Sequence, residues 1–283
     1  MTLFKPITVE PYTPLWAEAF KDESEKLKSL LNDMCLEIHH IGSTSVPGLA
    51  AKPFIDICCI IKDLSKSLTL LSHGYSAPKE LNIPLRYYFS KKTQPIGFNV
   101  HVTEPDHGFL SLNLFFRDYL RTYEKTRRDY ERLKLNLAQD IKNFECEDGI
   151  FPKYTLKKNT FIKQILQKSG YDGLNINFCL HVAEWTEAQR FRQAYCQKMS
   201  MTDPGIMKNE KNKHLIFYKG ALVIGYAHII CHPERYATIS VLSIDESIKN
   251  LETEEFFLQF CKKWLHHHGF QRIEIRTCLN GSV

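Results

Sequence analysis

Nine cysteines are present, yet none are spaced as Cys-x-x-Cys, which removes the usual signatures of a zinc ribbon or a dithiol redox centre. Their odd number and scatter read as reduced thiols of a cytoplasmic protein. No run approaches the roughly 20 apolar residues that cross a bilayer, and the opening Met1-Thr2-Leu3-Phe4-Lys5-Pro6 lacks the apolar core of a secretory leader. A membrane partner is therefore not expected. There is no internal repeat and no low-complexity tract.

What is there suits a two-domain globular protein: 283 residues, 43% hydrophobic and 24% charged. The net charge of +5 is concentrated between Arg117 and Lys168, where 13 Lys or Arg stand against 8 Asp or Glu. Acids are interleaved throughout that stretch, with i,i+4 pairs such as Glu124 and Arg128. This suits solvated helices better than a nucleic-acid surface.

The most informative segment runs from His40 to Ile57. A short strand ends at Ile41, Gly42-Ser43-Thr44-Ser45 forms a hydroxyl-rich turn, and a loop holding Pro47 and Gly48 leads to Lys52. A second, nearly all-apolar strand covers residues 54–60. Gly42 allows close backbone approach, Ser43, Thr44 and Ser45 offer hydroxyls and amides, and Lys52 offers a cation, all suited to phosphate. Asp56 sits in the apolar strand, where an ionised carboxylate needs a metal, a cation or a hydrogen bond.

Together with Val9-Glu10-Pro11-Tyr12, Asn99-Val100-His101-Val102, Phe116-Arg117-Asp118-Tyr119-Leu120-Arg121 and Tyr154 with Lys158, this signature resembles the GrpB family over residues 5–168. The resemblance implies a nucleotidyltransferase-like mixed sheet with helices. In active members of that wider fold a Gly-Ser turn holds the triphosphate, and an Asp-x-Asp pair on the next strand holds magnesium. Here Gly42, Ser43 and Asp56 match, but Cys58 fills the second carboxylate position, and thiols are poor magnesium ligands. Asn99 and His101 share a strand face where a third carboxylate is expected. Asp56 and His101 are thus the candidate catalytic pair, as metal ligands or as acid and base, against a structural role in holding the turn. Gly42, Ser43, Thr44, Lys52, Arg86, Arg117 and Lys158 are the candidate phosphate or nucleotide ligands.

Upstream and downstream, periodicity predicts a helix over 15–31, a short helix over 64–71, strands over 86–89 and 98–102, and one long helix from about 110 to 141. A loop with Asp148-Gly149 and Pro152 then precedes a helix over 155–168. Gly170 and Gly173 place a boundary there, giving domains 1–170 and 171–283. The second half reads as strand 178–182, helix 184–198, strands 215–218, 221–231 and 238–244, helix 254–268 and strand 272–276. This order resembles the GNAT acyltransferase fold. The resemblance places an acyl-CoA loop at Ile244, Lys249, Asn250 and Leu251, with glutamates at both positions where glycine is expected. It also implies that the final strands are lacking after Arg276-Thr277-Cys278-Leu279-Asn280-Gly281-Ser282-Val283, and that a homodimer would complete the sheet. His266-His267-His268 cannot converge on one ion, since successive helical residues point about 100° apart.

The sequence therefore predicts an α/β (α+β) chain whose first domain binds a small phosphate-bearing ligand. It leaves the cofactor open, with a divalent metal at Asp56 and His101 as one candidate and metal-assisted transfer as the chemistry it would serve. The alternatives are acetyl-CoA-dependent N-acetyl transfer by the second domain and a non-catalytic scaffold.

Overall fold

The computed structural model describes residues 8–78, 81–145, 153–203, 205–206 and 208–276. The expected Asp148-Gly149 and Pro152 loop, and the tail after Arg276, lie outside the described residues. The chain divides into two compact units, Met1–Tyr171 and Asp172–Val283. Both are mixed α/β.

In the first unit, helix α1 (Leu15–Leu31) precedes strands β1 (Cys35–Ile41), β2 (Phe54–Ile61), β3 (Arg86–Lys91) and β4 (Gly97–Thr103). They form a sheet of order β1-β2-β4-β3, parallel between β2 and β4 and antiparallel elsewhere. The period of two divides β2 cleanly. Ile55, Ile57, Cys59 and Ile61 join Val100 and Val102 in a core closed by Trp16, Leu27 and Leu31 of α1. Cys58 and Ile60 turn the other way, towards Phe109, Leu110 and Leu114. Asp56 shares that second face.

Three helices follow: α2 (Gly108–Thr122), α3 (Glu124–Gln139) and α4 (Lys153–Ser169). The single helix expected over 110–141 is in fact two, broken at Tyr123, whose φ of −104° and ψ of 91° are not helical. The break has a packing cause. Leu120 and Tyr130 both belong to the cluster around Val46 and Leu49, whereas ten residues of straight helix would hold them about 15 Å apart.

The second unit contains β5 (Leu174–Phe178), α5 (Val182–Lys198), β6 (Asn212–Lys219), β7 (Leu222–Cys231), β8 (Tyr236–Ile244), α6 (Leu251–His267) and β9 (Arg272–Ile275). Its sheet runs β5-β6-β7-β8-β9, antiparallel except for the parallel pair β8 and β9. The first strand lies earlier than the expected 178–182. Glu184 of α5 accepts the amides of Leu180 and His181, and this capping arrangement takes those residues out of any strand. Among the described residues, pairing of β8 with β9 extends to Ile239 and Ile275, while β8 continues to Ile244. Among the described residues, no helix is long and apolar enough to cross a membrane.

Candidate phosphate-binding site

Gly42 takes a φ of +70° between β1 and a 3-10 turn at Ser43–Ser45. The turn is fastened from beneath. Ser45 Oγ donates to the Gly42 carbonyl at 2.6 Å, and buried Thr44 places Oγ1 3.0 Å from His40 Nε2 and 3.4 Å from the Phe54 carbonyl. The His40 ring stacks on Phe20 at 4.6 Å. Burial, with Arg121 and Arg117 adding to it, pushes the imidazole down to about 4, so it is neutral at physiological pH. Thr44 is thus occupied inside the fold.

Arg117 likewise ties helix to strand: it donates to the His40 carbonyl at 3.0 Å and grips Asp118 with two nitrogens. Arg121 donates to the Ser45 carbonyl at 2.6 and 3.1 Å. These α2 guanidiniums hold the turn's backbone in place.

The loop after the turn is clamped by α3. The Ala50 amide donates to Glu131 Oε1 at 2.8 Å, and Lys134 Nζ donates to the Ala50 carbonyl. Tyr130, one turn before Lys134, is reached by the Ser43 side chain. Tyr130 and Lys134 were not legible as site residues. The available signal was a lysine at i+4 from Tyr130 and i−3 from Leu137, on the apolar stripe of α3.

Two further ammonium groups approach the turn. Lys52 Nζ and Lys158 Nζ each lie 4.6 Å from the centroid of the Tyr154 ring. Burial pushes both down to about 8, Lys158 lowers Lys52 further, and Asp56 opposes the change in each. Lys134, only 2% exposed, is pushed to about 7 by burial and by Lys158. Three lysines therefore crowd one place, with Asp56 facing Lys52 and Lys158 and Glu131 facing Lys134.

Asp56 and Asn99 are register partners on β2 and β4. Asn99 Nδ2 donates to Asp56 Oδ1 at 2.9 Å, and Asn99 Oδ1 accepts the Tyr88 hydroxyl at 2.7 Å. Burial raises the Asp56 carboxyl, opposed first by Asn99 and then by Lys158 and Lys52.

His101 stands two residues along β4, opposite Cys58. Its ring lies 5.3 Å from Tyr88 and 4.7 Å from Phe109, and burial beside Arg86 holds it well below the usual imidazole range. Among the described residues its Nδ1 has no hydrogen-bond partner. The structure does not join His101 to Asp56 by any hydrogen bond among those residues. Arg86 belongs with His101: its guanidinium lies 5.2 Å from the Phe109 ring and 5.8 Å from Tyr88. The sequence-predicted set therefore splits. Gly42, Ser43, Lys52, Asp56 and Lys158 converge, whereas Arg86 and His101 form a separate buried pair and Thr44 and Arg117 support the turn.

In the second unit, Ile244 is buried at the end of β8 and Leu251 is exposed. Asn250 Oδ1 caps α6 by accepting the Thr253 amide at 2.7 Å, and Lys249 pairs with Glu254 at 3.3 Å. Lys249 lines a cleft of about 530 Å³ with Tyr195, Lys198, Ser243 and Arg276. Asn250 thus takes up one of the helix-terminal amides, that of Thr253, which a phosphate would otherwise share.

The model of the GrpB protein family matches residues 6–168, more than half of the chain. The chain belongs to the GrpB family. The YqkA protein of Bacillus subtilis is 36% identical over 131 residues, covering 45% of this chain and 38% of YqkA. A solved GrpB structure from Enterococcus faecalis is 35% identical with a TM-score of 0.48, covering 57% of this chain and 99% of that one. An aminoglycoside acetyltransferase from an uncultured soil metagenomic sample is similar to 38% of this chain and covers 78% of its own length, at 10% identity and a TM-score of 0.32. That last likeness says nothing about activity. The site built from Gly42, Lys52, Asp56 and Lys158 thus lies within the GrpB portion.

Proposed function

We propose that the GrpB unit binds a small phosphate-bearing ligand, a nucleotide or related ester, over the Gly42-Ser43 turn. The observation that carries this reading is the pair of half-buried ammonium groups, Lys52 and Lys158, on one tyrosine ring beside a single carboxylate. Cations crowded together in a desolvated place are unfavourable without an anion, and a phosphate supplies one. Ser43 and Tyr130 add hydroxyls at the same point. Asp56, held by Asn99, is the group that would take a proton from an attacking hydroxyl if the bound ester is transferred.

The test is a thermal-shift titration of the full chain with nucleoside triphosphates, sugar phosphates and pyrophosphate. A ligand at 100 times its Kd stabilises by about 2.7 kcal/mol, visible as a rise of a few degrees. The rise should vanish in Lys158→Gln. Absence of any shift across the panel would refute the reading.

A second reading, acyl transfer from acetyl-CoA by the other unit, is favoured by the cleft beside the C-terminal end of β8. The Asn250 cap and the Lys249–Glu254 pair oppose it. Stabilisation by millimolar acetyl-CoA would support it.

A further inference from the structure

The resemblance to nucleotidyltransferases implies a divalent metal at Asp56, and the donor set here does not fit one. Magnesium needs about six oxygens in octahedral array, usually from two or more carboxylates and the phosphates. The second carboxylate position holds Cys58, buried, with its thiol pushed up to about 12. Asn99 turns its nitrogen, not its oxygen, towards Asp56, and its oxygen accepts from Tyr88. Asp56 Oδ2 is pressed against Gly42. His101 lies two residues farther along β4, between the rings of Tyr88 and Phe109. Among the described residues, no three His, Cys, Asp or Glu side chains converge. Lys52 and Lys158 already face Asp56, and their charge repels a dication.

Resting on the phosphate reading above, we infer that Lys52 and Lys158 do the work of the divalent cation at this site, so that the GrpB unit holds its phosphate-bearing ligand as the free, metal-less anion. The geometry suits that role. Both lysines are positioned by one rigid ring, Tyr154, which is itself buried on α4. Lys52 comes from the loop that Glu131 and Lys134 clamp to α3. The charges are thus carried by two different elements, the loop before β2 and helix α4, and held against one ring. Asp56 balances the lysines while no ligand is bound and needs no bridging ion to stay near them.

The experiment is calorimetric titration of the full chain with inorganic pyrophosphate, once in EDTA and once in excess magnesium. Affinity in EDTA should equal or exceed that in magnesium, because the ion sequesters the free anion. Lys52→Gln and Lys158→Gln should each weaken binding by about tenfold or more, as expected for loss of a charge-assisted contact of 1.5–3 kcal/mol, while Lys158→Arg keeps most of it. Asp56→Asn separates the two mechanisms: loss of a metal ligand would abolish binding, whereas loss of a carboxylate facing the lysines leaves it equal or tighter. Circular dichroism of each variant confirms that it is folded. Binding that requires magnesium, or that disappears in Asp56→Asn, overturns the inference and leaves the phosphate reading standing. No binding of pyrophosphate or of any other phosphate ester, with or without metal, refutes the phosphate reading and this inference with it.

Discussion

A β-carbon placed on Gly42 would stand 2.2 Å from Oδ2 of Asp56, so the turn and the strand carboxylate are in direct contact. The positive φ of Gly42 adds a second reason for glycine, since other residues pay to adopt it. Gly42→Ala should cost roughly 2–4 kcal/mol from clash and backbone strain together. In an Asp56→Ala background the approach to the carboxylate is gone, leaving the strain and a 2.9 Å approach to the residue-56 Cβ. Urea denaturation of both singles and the double variant should therefore show a coupling of at least about 1 kcal/mol. Additive effects would mean that the two residues do not touch.

The crowded lysines make a prediction about pH. Lys52 and Lys158 sit near 8 in the fold, below their ordinary 10.5. Between those values the unfolded chain binds more protons, so stability from these groups rises with pH across the window and their full penalty is felt below about 8. Lys158→Met should therefore raise the Tm of the unliganded protein by a few degrees at pH 7. The advantage should shrink as pH rises from about 8 and vanish only above about pH 11, where wild-type lysine is neutral in both states. A variant that is less stable than wild type at pH 7 would show that the ammonium is well satisfied without a ligand.

His40 gives the opposite end of the pH scale. Its folded value is about 4 against an ordinary 6.5. Between these the unfolded chain takes up a proton that the folded chain refuses, so stability contributed by His40 is lost as pH falls through that range. A substitution to Gln keeps a polar partner for Thr44 and cannot titrate. The difference in stability between His40→Gln and wild type should then shift in favour of the variant by up to a few kcal/mol from pH 7 to pH 4. Parallel pH profiles for the two proteins would refute it.

These expectations also mark what could be read from the chain. Gly42, Ser43 and Asp56 were legible because a turn glycine, a hydroxyl and a lone strand carboxylate each carry a local physical cost. Strand alternation put Asn99 and His101 on one face, but the bond from Asn99 to Asp56 depends on the register of β2 and β4, which the sequence did not show. Lys134 and Tyr130 were not legible, since their importance arises only when α3 folds back over the loop, and the break at Tyr123 that allows it has no proline or glycine to announce it. Arg86 and Arg117 offered the same chemistry in sequence and differ only in what surrounds them. In the second unit the order of elements was legible, but β5 was displaced because Glu184 caps its own helix through Leu180 and His181.

Two buried arginines, one in each unit, should respond differently to the same substitution. Arg86 is 6% exposed, and its Nε and Nη1 have no hydrogen-bond partner among the described residues; burial pushes it down to about 10. Arg192 is 2% exposed but donates Nε to Asp203 and lies 3.2 Å from His228 Nδ1. Removing an unpaired buried charge relieves desolvation, whereas removing one member of a pair leaves the other exposed to the same cost. Arg86→Met should therefore be neutral or stabilising, since methionine fills similar space against Phe109 and Tyr88. Arg192→Met should cost roughly 2–3 kcal/mol, below the fully buried range because Asp203 keeps some contact with water. Chemical denaturation of the two variants decides the matter. If Arg86→Met is the more damaging, its guanidinium has a partner that the ring contacts alone do not provide.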